Sequence, residues 1–172
     1  MAATPWKKRC KIPDMQILDV AEQYDDACQL LKKQPPGLGV LQPQLNTAAV
    51  AVELFLKSLS SKSIFVPLDN SDGYRVYAEP ELKHHKLVEL FDGIPEDIRN
   101  ELESRFSTST LTSLASSLRE MLRKYEGLFA ISRYPFEKNS GIRNYPPTPL
   151  MELSSFLRAF IRTLKPVDRI EW

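Results

Sequence analysis

The two histidines of the chain stand side by side, His84 and His85, and an imidazole can move protons near neutral pH or ligate a metal. Adjacent residues on a helix project about 100° apart, so this pair is poorly placed to grip one ion. No Cys/His cluster or His-x-x-x-His spacing accompanies it. Capping or loop packing is therefore the expectation for both, with acid–base work as the alternative. Glu53 and Lys57 are four residues apart, a spacing at which carboxylate and ammonium meet on one helix face. They are expected to form an ion pair, the alternative being the polar lining of a ligand groove. Cys10 and Cys28 are too few for a disulfide framework or a four-ligand zinc site, and Cys28 reads as a small core residue. Gly37-Leu38-Gly39 follows two prolines and lacks the rest of any nucleotide fingerprint. No cofactor and no metal are expected.

Charge narrows the field further. Lys and Arg number 23 against 22 Asp and Glu, a formal net charge of +1, so there is no overall basic excess of the kind that drives nucleic-acid binding. Lys83, Arg99, Arg105, Arg119, Arg123 and Lys124 are interleaved with Glu96, Asp97, Glu101, Glu103 and Glu120, and a solvated mixed surface is the simpler reading. The start lacks a charged region followed by a long apolar stretch, and no apolar run approaches the roughly 18 residues of a membrane span. A cytoplasmic protein without a membrane segment is expected.

These residues need elements to position them. Residues 1–13 are basic and loosely patterned and read as a flexible terminus. A first helix is predicted after Pro13, capped by Asp14, with Ile17, Leu18, Ala21, Tyr24, Cys28 and Leu31 on one face. Gln34-Pro35-Pro36-Gly37 stops it. The second helix, from Leu45 to Leu59, has an apolar stripe broad enough for a bundle interior. The excursion around 60–80 reads as a long loop or an irregular hairpin, separate from any larger sheet. Short helices follow over Leu82–Phe91 and from Pro95 through Arg105. One long helix is predicted from about Thr110 to Tyr134, weakened at Gly127, and a last one carries Leu150, Leu153, Phe156, Leu157, Phe160, Ile161 and Leu164 inward. The fold class is thus all-α, an antiparallel up-and-down bundle of about four main helices in one domain over 14–166, with a tail at 167–172.

Three segments in order are similar to the HEPN (higher eukaryotes and prokaryotes nucleotide-binding) superfamily. The run 46–59, Asn-Thr-Ala-Ala-Val-Ala-Val-Glu-Leu-Phe-Leu-Lys-Ser-Leu, resembles its alanine-rich helix with a Glu-Leu-x-Leu-Lys core. The run 85–95, His-Lys-Leu-Val-Glu-Leu-Phe-Asp-Gly-Ile-Pro, looks like its His-Asp-Leu…Leu-Phe…Leu-Pro stretch. The run 131–137, Ile-Ser-Arg-Tyr-Pro-Phe-Glu, is similar to the Arg-Tyr…Glu segment that ends its following long helix.

The resemblance implies a helical bundle, frequently dimeric, and a link to RNA, since many members are metal-independent ribonucleases or partners of nucleotidyltransferases. It also implies that Arg133, Tyr134 and Glu137 lie across the bundle from Glu53 and Lys57, so these five form the candidate ligand groove, with His84 and His85 secondary. The family's ribonuclease activity uses an Arg followed after four to six residues by His, the one stabilising phosphate charge and the other moving protons. Here the nearest upstream arginine, Arg75, is eight intervening residues from His84, and Arg105 stands where a His would have to follow Arg99. Catalysis of that type is not expected. The leading expectation is a non-catalytic binding or interaction module for RNA, a nucleotide or a protein partner, expected as a homodimer. The alternatives are a diverged ribonuclease or nucleotide-handling enzyme, and a purely structural dimeric accessory subunit.

Overall fold

Asp14 opens the first helix as the sequence predicts. Its carboxylate accepts from the amides of Gln16 (3.0 Å) and Ile17 (3.2 Å), satisfying donors that the first turn leaves without helical partners. The computed structural model describes residues 6–8, 12–35, 37–68, 73–80, 82–134 and 141–164. The helices are α1 (Met15–Lys32), α2 (Leu41–Ser60), α3 (Leu87–Asp92), α4 (Glu96–Ser107), α5 (Leu118–Lys124), α6 (Leu128–Arg133) and α7 (Pro147–Ile161), with 3-10 turns at Thr110–Ser113 and Ile142–Asn144. The described residues are mostly helical, with a small antiparallel sheet.

α2 is central. Leu45, Ala48, Ala49, Ala51, Val52, Phe55, Leu56 and Leu59 are all buried, an apolar surface too wide for one face, as a helix surrounded by others requires. It packs against α1, α3, α6 and α7. The Asp14 amide donates to the Ser58 carbonyl at 2.7 Å, placing the start of α1 beside the end of α2, so these two run antiparallel.

On α1 the inward positions are Leu18, Ala21, Asp25 and Cys28. Tyr24, expected inside, is 38% exposed. The face turns because Asp25 has buried partners on α7: Ser154 Oγ donates to its carboxylate at 2.7 Å and Arg158 at 2.9 Å. Arg158 also pairs with Asp26 at 2.5 Å, and Arg162 with Glu22 at 2.6 Å. The Arg162 hydrogen bond holds Glu22 below the usual carboxylate range, and the Arg158 hydrogen bond does the same for Asp26.

The predicted long helix over 110–134 is a correction. Three short pieces stand there, the 3-10 turn, α5 and α6, and the reasons are local. Ser117 Oγ accepts from the Glu120 amide at 3.1 Å while the Glu120 carboxylate takes the Ser116 amide at 2.8 Å, a reciprocal cap that starts a new helix. Glu103 on α4 accepts the Leu118 and Arg119 amides as well. Gly127 then sits at φ +80 as the N-cap of α6, a left-handed turn that separates it from α5, which ends at Lys124. The short helix expected from Leu82 begins only at Leu87.

The excursion around 60–80 is a hairpin of β2 (Lys62–Pro67) and β3 (Tyr74–Glu79), with Phe65 opposite Val76. The amino-terminal segment expected to be unstructured supplies a third strand, β1 (Trp6–Lys8), on the other side of β2. Its pairing is non-local, which explains why three basic-aromatic residues gave no strand signal. Gln16 of α1 closes the outer edge of β3, donating to the Val76 carbonyl at 3.1 Å and accepting from the Ala78 amide at 3.2 Å. Among the described residues no helix is long and apolar enough to cross a membrane.

Candidate functional site

On α2 the positions 46, 53 and 57 fall close to one stripe, because offsets of seven and four residues nearly complete whole turns. Asn46 donates to Ser132 Oγ of α6 at 2.9 Å. Glu53 and Lys57 form a buried ion pair, Nζ to Oε1 2.6 Å, with only 5% and 8% of each residue exposed. They are thus neither a surface pair nor an open polar lining. Two opposite charges so far from water hold only if their remaining hydrogen-bonding capacity is met.

His85 meets part of that requirement, on the Glu53 side. Its Nδ1 lies 2.9 Å from both carboxylate oxygens of Glu53. With the proton on Nδ1, the tautomer this contact selects, the neutral ring keeps Nε2 as an acceptor. The His85 side chain is 56% exposed, and among the described residues nothing hydrogen-bonds Nε2. A carboxylate behind an outward-facing imidazole fixes its orientation.

α6 supplies the rest. The His85 ring lies 4.7 Å from that of Phe129, tilted 31°. The Arg133 guanidinium stands 3.9 Å over the same ring, one helical turn along. A guanidinium on an aromatic face gains a cation–π attraction and keeps its N–H fork for other partners. His85 and Arg133 therefore each pack against the Phe129 ring, and Glu53 and Lys57 lie buried behind His85.

The remaining candidates fall differently. Tyr134, the residue after α6, is 52% exposed, and Glu137 lies outside the described residues. His84 diverges from its neighbour: Nε2 meets Glu89 at 2.9 Å and Nδ1 accepts the Lys86 amide at 3.3 Å, the opposite tautomer, spent locally at the start of α3. Sequence reasoning did not single out Phe129, one of the residues within the long helix predicted over 110–134. Its i, i+4 spacing to Arg133 was visible. The Glu53–His85 contact was not, since its partners are 32 residues apart. Among the described residues no group of three or more His, Cys, Asp or Glu is arranged to hold a metal ion.

The fold and site together define a mostly helical protein with a small sheet and a Glu–His–Arg cluster on one helix–helix seam. Comparison of the chain with protein-family models, curated proteins and solved structures gave no match.

Proposed function

We propose that the chain is a HEPN-like helical-bundle module that binds a phosphate-bearing ligand, RNA or a nucleotide, over the α2–α6 seam, and that it works as a homodimer. The observation carrying this reading is the shared seating of His85 and Arg133 on Phe129. Two exposed nitrogen-rich groups held beside one aromatic ring suit a phosphate together with a flat base. Glu53 and Lys57 act as the buried anchor for His85 and do not touch the ligand. The test is fluorescence anisotropy with a labelled single-stranded RNA oligomer and with labelled AMP, in metal-free buffer. Binding to either that weakens at least fivefold in Arg133→Ala, with the RNA left intact, supports the module. Absence of binding to both shifts the reading to a protein partner, such as a nucleotidyltransferase-like subunit. Light scattering that finds only monomer removes the dimer.

A second reading, a diverged ribonuclease, is favoured by one observation, the Glu53–His85 dyad. The missing Arg…His spacing in sequence does not prevent His85 and Arg133 from both packing against Phe129. RNA cleavage lost in His85→Ala would establish this reading over the first.

A further inference from the structure

A second site lies away from the α2–α6 seam, between α5, the 3-10 turn at Ile142–Asn144 and the start of α7. A cleft of ≈ 450 Å³ opens there, within the size range of small-molecule sites. Its walls are apolar: Leu114, Met121, Tyr145, Pro146 and Pro149. The Tyr125 ring packs beside Tyr145, centroids 6.1 Å apart. Tyr125 as a whole is only 5% exposed, yet the sole hydrogen bond of its hydroxyl among the described residues is a long one, 3.4 Å to the Pro146 carbonyl. Good hydroxyl hydrogen bonds are about 0.6 Å shorter, and a buried donor so weakly met calls for another acceptor. Burial, assisted by the Glu152 charge, pushes this phenol up to about 12, so at neutral pH it is a donor. The other polar groups on the lining are the Lys124 ammonium, tethered at the rim by the Leu114 carbonyl and by Glu120, and the Asn144 carboxamide. Both offer N–H donors.

We infer that this cleft is a binding site for a small, flat, largely apolar molecule carrying a carbonyl or similar acceptor, which takes the Tyr125 hydroxyl proton in a hydrogen bond while the ring system lies against Tyr145 and Pro149. A carbonyl group satisfies the hydroxyl better than the Pro146 oxygen does, and the apolar walls reward a ring over a chain, since a ring has few rotors to freeze. The site shares none of its lining residues with the Glu53–His85 cluster, so it stands or falls independently of the phosphate-ligand reading.

The test uses the intact chain and two probes of similar shape, coumarin, which has a lactone carbonyl, and naphthalene, which has no acceptor. Two-dimensional NMR titration of the wild type with coumarin is expected to give saturable shifts at Leu114, Met121, Tyr125 and Tyr145. Tyr125→Phe keeps the ring and removes only the donor, so coumarin affinity is expected to fall about three- to tenfold while naphthalene affinity stays unchanged. Leu114→Trp, at a rim position 37% exposed, is expected to fill the cleft and abolish both titrations without changing the urea midpoint. Failure of coumarin to saturate the wild type, shifts centred elsewhere, or equal coumarin affinity in wild type and Tyr125→Phe would each overturn the inference.

Discussion

His85 Nδ1 faces both oxygens of the Glu53 carboxylate at 2.9 Å, although Glu53 lies within the central helix and His85 stands half in solvent just before α3. The contact links a charge that the core must neutralise to a ring that water can reach. It also gives Glu53 two cationic or donor partners, Lys57 and His85.

Removing one member of the buried pair strands the other. Glu53→Ala is expected to destabilise the chain by about 3–5 kcal/mol, because Lys57 is left as a buried uncompensated ammonium. The double variant Glu53→Leu/Lys57→Met removes both charges and is expected to recover most of that loss. Urea denaturation of Glu53→Leu, Lys57→Met and the double variant gives the coupling directly. A double variant no better than Glu53→Ala would mean that the pair is not what Glu53 contributes.

Acid should loosen the α1–α7 seam. Glu22 and Asp26 have folded pKa values below the ordinary 4.5 and 3.8, so the unfolded chain takes up these protons first as pH falls. Their contribution is complete above that range and is lost progressively below it, as pH passes through the lowered folded values. Arg162→Gln removes the chief partner of Glu22 and is expected to cost about 0.5–1 kcal/mol at pH 7, since Arg162 is largely exposed. The gap between variant and wild type should narrow below about pH 4, as measured by urea midpoints across a pH series. A constant gap would separate the cost from this ion pair.

Gly127 carries a backbone cost that no contact explains. A Cβ built there meets nothing within 4 Å, so substitution is resisted by φ +80 alone. Gly127→Ala is expected to destabilise by about 1–2 kcal/mol, and Gly127→Asn by less, since Asn tolerates the left-handed region better. Ser117→Ala, which breaks the cap of α5, is expected to cost about 1 kcal/mol. Equal melting temperatures for Gly127→Ala and wild type would show that the α5–α6 corner adapts.

Gln16 covers the outer edge of the hairpin with a side-chain amide that imitates a neighbouring strand. Gln16→Ala is expected to speed hydrogen exchange at the Ala78 amide several-fold while leaving core amides of α2 unchanged. Exchange at Ala78 matching the wild type would show that this edge needs no cover.

Arg133 supplies the proposed phosphate contact. In RNA titrations across a range of salt concentrations, Arg133→Ala should reduce the dependence of log affinity on log salt by about one unit. A weaker affinity with an unchanged slope would place Arg133 in stacking rather than in phosphate neutralisation.

The helices were legible where the signal is local. Asp14 before an apolar stripe, the prolines after Gln34 and the wide stripe of α2 depend on capping, breaking and burial, all written within a few residues. The division at Ser117 was legible too, because Ser-x-x-Glu is a local cap, yet apolar spacing running through it favoured one long helix. Periodicity counts side chains on a face and takes no account of a backbone turn between them.

What the sequence by itself determined is a mostly helical chain with Glu53 and Lys57 on one stripe and Cys28 inside. Tertiary structure alone decided that Glu53 is shared with His85, that His85 lies against Phe129, and that Asp25 rather than Tyr24 turns inward to meet Ser154 and Arg158. The reason is common to all three. A charged or aromatic side chain carries no local mark of its partner when that partner lies tens of residues away, and only packing brings together the groups whose burial must be compensated.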